Sequence, residues 1–153
     1  MPKHSSLALC FRNIKKGLRS AGVLLVCEPS LSSKNKDSWR WSLPGGKCCD
    51  NKQPINCCME TSEETVVREC KEETGFRVKA EKLFLREDKR NPETQVQYKR
   101  YVYVVNIVDG NPLGKKVFGE ESPRWVPLSQ LPRNLFYSHQ KILEGFVLCL
   151  IKR

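Results

Sequence analysis

LPGGKCCDNKQPINCCMETSEETVVRECKEETGF, residues 43–76, is the stretch that decides the fold. In its second half the carboxylates Glu69, Glu72 and Glu73 stand at i, i+3 and i+4. At 3.6 residues per turn those positions share one helix face. Each close pair of like charges there costs a few tenths of a kcal/mol in an isolated helix. A helix that only supports structure gains nothing from the arrangement. A helix that holds a hard divalent cation does, because Mg²⁺ is bound through carboxylate oxygens, usually together with substrate phosphates.

Local signals predict that the stretch is helical from about Thr61 to Thr74. Thr61-x-x-Glu64 reads as a capping box, in which the N-cap hydroxyl and the N3 carboxylate satisfy each other's backbone donors. Glu63 and Glu64 fall in the first turn, where the macrodipole favours negative charge. Val66, Val67 and Cys70 form an apolar stripe beside the acidic face, and Gly75 stands where a left-handed C′ glycine ends a helix. Upstream, the alternating run Trp39–Leu43 reads as a strand, and Pro44-Gly45-Gly46-Lys47 as a glycine turn that lets backbone approach a ligand. A merely solvated acidic helix leaves the glycine turn and Arg68 unexplained.

The order strand, glycine turn, loop, acidic helix resembles the Nudix hydrolase family, also called the MutT family. Its signature is Gly, five residues, Glu, seven residues, then Arg-Glu-U-x-Glu-Glu-x-Gly-U, with U bulky and apolar. Gly46 and Glu60 match the first glycine and the isolated glutamate, and Arg68, Glu69, Glu72, Glu73, Gly75 and Phe76 match the remainder. There are two departures. Thirteen residues separate Gly46 from Glu60, an eight-residue insertion, and Cys70 fills a U position, where a buried Cys serves as a small hydrophobe.

The resemblance implies an α/β class, a Nudix-like α/β/α sandwich around a mixed β-sheet, formed as a single domain over 1–153 with its motif at 46–76. It implies a Mg²⁺-dependent pyrophosphohydrolase (Mn²⁺ being a workable substitute) that cleaves a diphosphate linkage in a nucleotide or nucleoside diphosphate derivative. Carried over by position, Glu69 and Glu73 are the principal metal ligands, with Glu72 assisting and the Gly45 carbonyl adding an oxygen. Arg68 and Glu60 orient the carboxylates. Gly46 and Lys47 face the substrate phosphates, and Lys47 reads equally well as a surface lysine. The general base is a motif glutamate (Glu72 or Glu73) or a later-loop one, for which Glu120 and Glu121 are candidates. ADP-ribose-hydrolysing members carry a proline some 16 residues past the motif, where Pro92 stands, although a polar turn favours proline anyway. A rival reading is a non-catalytic Nudix-like module that binds a nucleotide or nucleic acid. It expects a lost motif carboxylate, and none is lost.

Composition sets the remaining bounds. The chain has 153 residues, 39% hydrophobic and 29% charged, as in a soluble globular domain. Neither the short apolar run at Leu7–Phe11 nor Phe146–Ile151 suits a signal segment or a bilayer span, so no membrane partner and a cytoplasmic location are expected. The net charge of +10 is spread over small Lys/Arg groups, which suits polyphosphorylated substrates and RNA 5′ ends but equally an ordinary solvated surface. The oligomeric state, monomer or homodimer, stays open.

Of eight cysteines, Cys10, Cys27, Cys70 and Cys149 lie in apolar patterns and read as core fillers. Cys48, Cys49, Cys57 and Cys58 bracket the insertion. Adjacent cysteines match zinc spacing poorly, which leaves either no special role or a metal or redox clip. Elsewhere strands are expected at 5–11, 22–27, 76–80 with continuation over 82–86, 98–108 and 125–128. The segment 30–38 reads as a loop, and a final helix capped by Ser138 is expected to repeat Ile142, Leu143, Phe146, Val147, Leu150 and Ile151.

Overall fold

A computed structural model describes residues 3–29, 39–48 and 60–152. In chain order the elements are β1 (His4–Arg12), β2 (Gly22–Pro29), β3 (Trp39–Ser42), β4 (Gly45–Lys47), α1 (Ser62–Thr74), β5 (Phe76–Arg90), β6 (Gln97–Gly110), β7 (Lys115–Val117), β8 (Glu120–Ser122), β9 (Arg124–Pro127) and α2 (Tyr137–Ile151). Short 3₁₀ turns stand at Ile14–Lys16 and Leu128–Gln130. The expected loop at 30–38 lies outside the described residues, as do Cys49, Cys57 and Cys58. The chain divides into two compact units, residues 1–11 with 44–113, and residues 12–43 with 114–153.

The first unit is a mixed sheet with a helix on it. β1 runs parallel to β6, from His4 beside Lys99 to Cys10 beside Val105. β4 is antiparallel to β1 and β5 antiparallel to β6. β1 is buried from Ser6 to Cys10, the continuous apolar run expected of a strand covered on both faces. The two expected segments after Gly75 are one strand, β5, carried through three register shifts against β6. Each such irregularity bends the strand and sharpens its twist. α1 lies against β4, β5 and β6. It buries Thr65, Val66, Glu69, Cys70 and Thr74. The buried stripe therefore includes one of the motif carboxylates and two threonines, while Val67 is only half-buried.

Within the second unit, β2 is antiparallel to β9 along Gly22–Leu25 and to β3 along Val26–Pro29. β7 and β8 form a small hairpin that has no counterpart in the sequence expectations. The strand near Trp125 running into a helical turn is present as β9 and the 3₁₀ turn. α2 is tied to the β3 segment at its start. The Phe136 N–H donates to the Trp41 carbonyl at 2.8 Å, and the Leu43 N–H donates to His139 Nδ1 at 3.0 Å.

Two expectations change here. The cap of α2 is Phe136, not Ser138, and no side chain caps the helix. Phe136 is pinned by its own N–H bond and by the Arg40 guanidinium 3.7 Å from its ring centroid, and its carbonyl accepts from His139 and Gln140. Ser138 consequently falls inside the first turn. Cys149 is exposed, because α2 buries only His139, Ile142 and Leu143 and presents Leu148 and Ile151 to solvent.

Cys10 and Cys70, by contrast, are buried, and burial pushes the Cys10 thiol up to about 12 and raises Cys70 as well. The thiolate is the nucleophile, so these thiols are inert near neutral pH. Iodoacetamide at pH 8 followed by peptide mapping is expected to label Cys149 and spare Cys10 and Cys70 until urea is added. Labelling of Cys10 as fast as Cys149 in the folded protein would contradict this packing.

Candidate active site

α1 begins and ends as its sequence requires. The Thr61 hydroxyl accepts from the Glu64 N–H at 3.1 Å, and the Glu64 carboxylate accepts from the Thr61 N–H at 3.2 Å. At the other end Gly75 adopts φ 87° and donates its N–H to the Lys71 carbonyl. A Cβ on Gly75 would lie 2.2 Å from the Asn111 carbonyl oxygen, so the position excludes other side chains sterically as well as conformationally.

The glycine segment departs from the expected turn. Gly45 and Gly46 belong to β4, paired with Leu7 and Ser6 of β1. A Cβ on Gly45 would sit 2.1 Å from the Ser6 carbonyl oxygen, closer than atoms can approach. A Cβ on Gly46 would fall 2.6 Å from the Glu69 carboxyl carbon. The bare backbone of β4 is thus what makes room for the Glu69 carboxylate. Glu73 is held from the same strand, its Oε2 accepting from the Gly45 N–H at 3.2 Å.

Arg68 gathers the other acids. Its Nε donates to Glu60 Oε2 at 2.8 Å and its Nη2 to Glu60 Oε1 at 3.0 Å, a two-pronged grip. Nη1 donates to Glu69 Oε1 at 2.9 Å and to Glu72 Oε2 at 3.2 Å, and Nη2 also to the Lys47 carbonyl at 3.0 Å. All five guanidinium N–H groups thereby have an oxygen to meet. The Arg68 pKa is raised first by its hydrogen bonds to Glu60, against the opposing effect of burial. Burial works to raise Glu60, but Arg68 and the Thr65 hydroxyl outweigh it and hold that carboxyl below its usual range. Burial lowers the half-buried His4 against the pull of the Glu60 charge, which leaves a neutral imidazole with one N–H at neutral pH.

The structure therefore brings Gly45, Gly46, Lys47, Glu60, Arg68, Glu69, Glu72 and Glu73 into one cluster. Among the described residues no three His, Cys, Asp or Glu side chains converge on a common point as a preformed cation cage. The donor set nonetheless fits a hard cation: Glu69 and Glu73 both lie against the glycine backbone of β4, and every donor is oxygen. Glu72 is the most exposed of the three carboxylates, with 49% of its side chain accessible.

A family model for the NUDIX domain matches residues 3–146. The chain belongs to the NUDIX domain family. It is a Nudix hydrolase in which every motif carboxylate is present, and its mixed α/β fold is that of solved Nudix structures. A UDP-X diphosphatase structure is 21% identical with TM-score 0.58, covering 94% of this chain, which spans only 61% of that one. An ADP-ribose pyrophosphatase from Streptococcus suis is 24% identical with TM-score 0.57, over 99% of this chain and 92% of that one. The NUDIX domain of Shewanella oneidensis NrtR, solved with ADP ribose, is 19% identical with TM-score 0.61, over 96% and 87%. No curated protein is a significant sequence match.

The other candidates are placed as follows. Glu120 and Glu121 lie on β8 in the second unit, where Glu120 accepts from Arg124 Nη2 at 2.9 Å and Glu121 is exposed. The Lys47 side chain is exposed, and its carbonyl is the part that joins the Nudix cluster. Pro92 is exposed in a turn whose Glu93 and Thr94 N–H groups bond to Asn91 Oδ1, which accounts for a proline there without a ligand. Sequence reading missed His4 and Thr65, which sit beside Glu60. His4 Nε2 lies 3.0 Å from Thr65 Oγ1, and Thr65 Oγ1 lies 2.7 Å from Glu60 Oε1. A polar residue on the buried face of α1 was the available signal for Thr65. Nothing local marks His4.

Proposed function

We propose that this Nudix hydrolase is Mg²⁺-dependent and cleaves the diphosphate linkage of a nucleoside diphosphate derivative. The observation that carries the reading is the shared grip of Arg68 on Glu60, Glu69 and Glu72, with Glu73 fixed on the Gly45 N–H. In this reading Glu69 and Glu73 hold the metal, Glu72 assists and the Gly45 carbonyl adds an oxygen. A bound Mg²⁺ there supplies charge neutralisation for phosphate oxygens and a more acidic water. Glu60 and Arg68 keep the carboxylates in place. Gly46 lets the phosphates come close to backbone, and Lys47 offers them a cation. Glu72, Glu73, Glu120 and Glu121 are the candidates for taking the proton of the attacking water.

Nucleotide sugars are the first substrates to try, because two of the structural relatives are named for hydrolysing or binding ADP ribose and a third for acting on UDP derivatives. The net charge of +10 also suits nucleoside triphosphates, dinucleoside polyphosphates and RNA 5′ ends. Among the described residues no helix is long and apolar enough to cross a membrane. A cytoplasmic location is part of this reading.

The test is phosphate release across those substrate classes with Mg²⁺ and with Mn²⁺, using Glu73→Gln as the blank. Metal-dependent turnover of one class, absent in the blank, is the expected result. Equal turnover by the blank, or none by the wild type on any class, would sink the reading.

A further inference from the structure

A line of hydrogen bonds enters the motif from β1, through residues the signature does not include. The Thr65 hydroxyl stands 3.0 Å from His4 Nε2, 2.7 Å from Glu60 Oε1 and 3.0 Å from the Thr61 carbonyl. A hydroxyl has one proton to give and lone pairs to accept with. The default for a helical threonine is to give that proton to the carbonyl four residues back, here that of Thr61. That carbonyl already accepts the Thr65 N–H at 2.9 Å. The Glu60 carboxylate is the nearer and the charged acceptor, so the hydroxyl points to Glu60.

His4 is itself fixed. Its ring meets Tyr101 edge-on at 6.0 Å, and its carbonyl accepts the Cys48 N–H at 3.0 Å, next to β4. Thr65 is fully buried, so its hydroxyl has little freedom to turn elsewhere. With Thr65 on Oε1 and Arg68 on both oxygens, the Glu60 carboxylate is set by three donors. The orientation of Arg68 then decides where Nη1 meets Glu69 and Glu72.

We propose that Thr65 and His4 are positioning residues, fixing Glu60 and through Arg68 the placement of the Glu69 and Glu72 carboxylates. The last link rests on the metal-ligand reading above. The earlier links can be observed in metal-free protein.

Thr65→Val keeps the buried volume and removes the hydroxyl, whereas Thr65→Ser keeps the hydroxyl and removes the methyl. Two readouts apply: Mn²⁺ affinity from electron paramagnetic resonance titration, with Glu73→Gln as the binding blank, and the Arg68 Nε–H resonance in metal-free ¹⁵N-labelled protein. Thr65→Val is expected to melt near the wild-type temperature, to bind Mn²⁺ about 10- to 100-fold more weakly, and to shift or broaden the Arg68 signal. Thr65→Ser is expected to melt lower yet recover both readouts. His4→Ala should shift the Arg68 signal in the same sense, and His4→Gln, which keeps a side-chain N–H, should restore it.

Thr65→Val with Mn²⁺ affinity within twofold of wild type and an unmoved Arg68 resonance would overturn the proposal. So would a Thr65→Ser variant as impaired as Thr65→Val, since that pattern belongs to packing alone. A wild type that binds no Mn²⁺, while Thr65→Val still moves the Arg68 resonance, would refute the metal reading and support the positioning.

Discussion

Glu69→Gln and Glu73→Gln are each expected to lower kcat by about 10³-fold or more on whichever diphosphate the wild type hydrolyses. A metal-bound site supplies several kcal/mol of transition-state charge stabilisation, and about 4 kcal/mol corresponds to about 10³ in rate. Both replacements keep the size of the side chain. A glutamine at 73 can still accept the Gly45 N–H through its amide oxygen, and one at 69 still occupies the space left by Gly46. The fold should therefore survive, with Tm lowered in Glu69→Gln because Arg68 loses one charged acceptor while keeping Glu60 and Glu72, and with the main loss appearing in chemistry and metal affinity. Glu72→Gln should cost less, since Glu72 is half-exposed whereas Glu69 and Glu73 lie against the backbone of β4. Steady-state kinetics over a Mg²⁺ titration, with circular dichroism to verify folding, reads all three. Activity within a few-fold of wild type in either of the first two variants would show that the ligands lie elsewhere.

How much of this was legible in the sequence follows from the range of each signal. The α1 boundaries were readable because a capping box and a C′ glycine act within four residues of themselves, and Thr61, Glu64 and Gly75 do what those rules require. The clustering of Glu60 with Arg68 and Glu69 was readable only through the family resemblance. β4 was not readable, because its three residues carry no strand pattern and form a strand only where β1 offers an edge to a segment whose first two residues are glycines. The Glu69 position was half-read. Spacing put it on the acidic face, but packing buries it with Val66 and Cys70, and Arg68 provides the charge that makes this tolerable. The exposure of Cys149 was misread because helical spacing shows which residues share a face and not whether anything covers it. His4 was invisible, since its contact with Thr65 spans 61 positions in the chain.

Arg68→Met is the second large effect, this time on stability. Arg68 has 17% of its side chain accessible, Glu60 15% and Glu69 8%, so the ion cluster is largely shielded from solvent. Taking one partner from such a cluster leaves uncompensated charge and costs about 3 kcal/mol or more. Arg68→Lys should fall between, because an ammonium keeps the charge but cannot reproduce the fork. The pH dependence has a definite sign. In the wild type the Glu60 carboxyl titrates below its ordinary value, so its contribution is complete above the unfolded value of about 4.3 and is lost as pH falls through the folded one. Without Arg68 the main remaining influence on Glu60 is burial, which raises its pKa and turns the ionised form into a liability as pH rises. The gap between wild type and Arg68→Met should therefore be widest near pH 7 and narrow toward pH 4. Urea unfolding in EDTA at both pH values measures it. A gap under about 0.5 kcal/mol at pH 7, the size of an ordinary surface substitution, would mean that Arg68 does not hold the cluster together. A gap that widens toward acid would mean that the carboxylates are not the groups it holds.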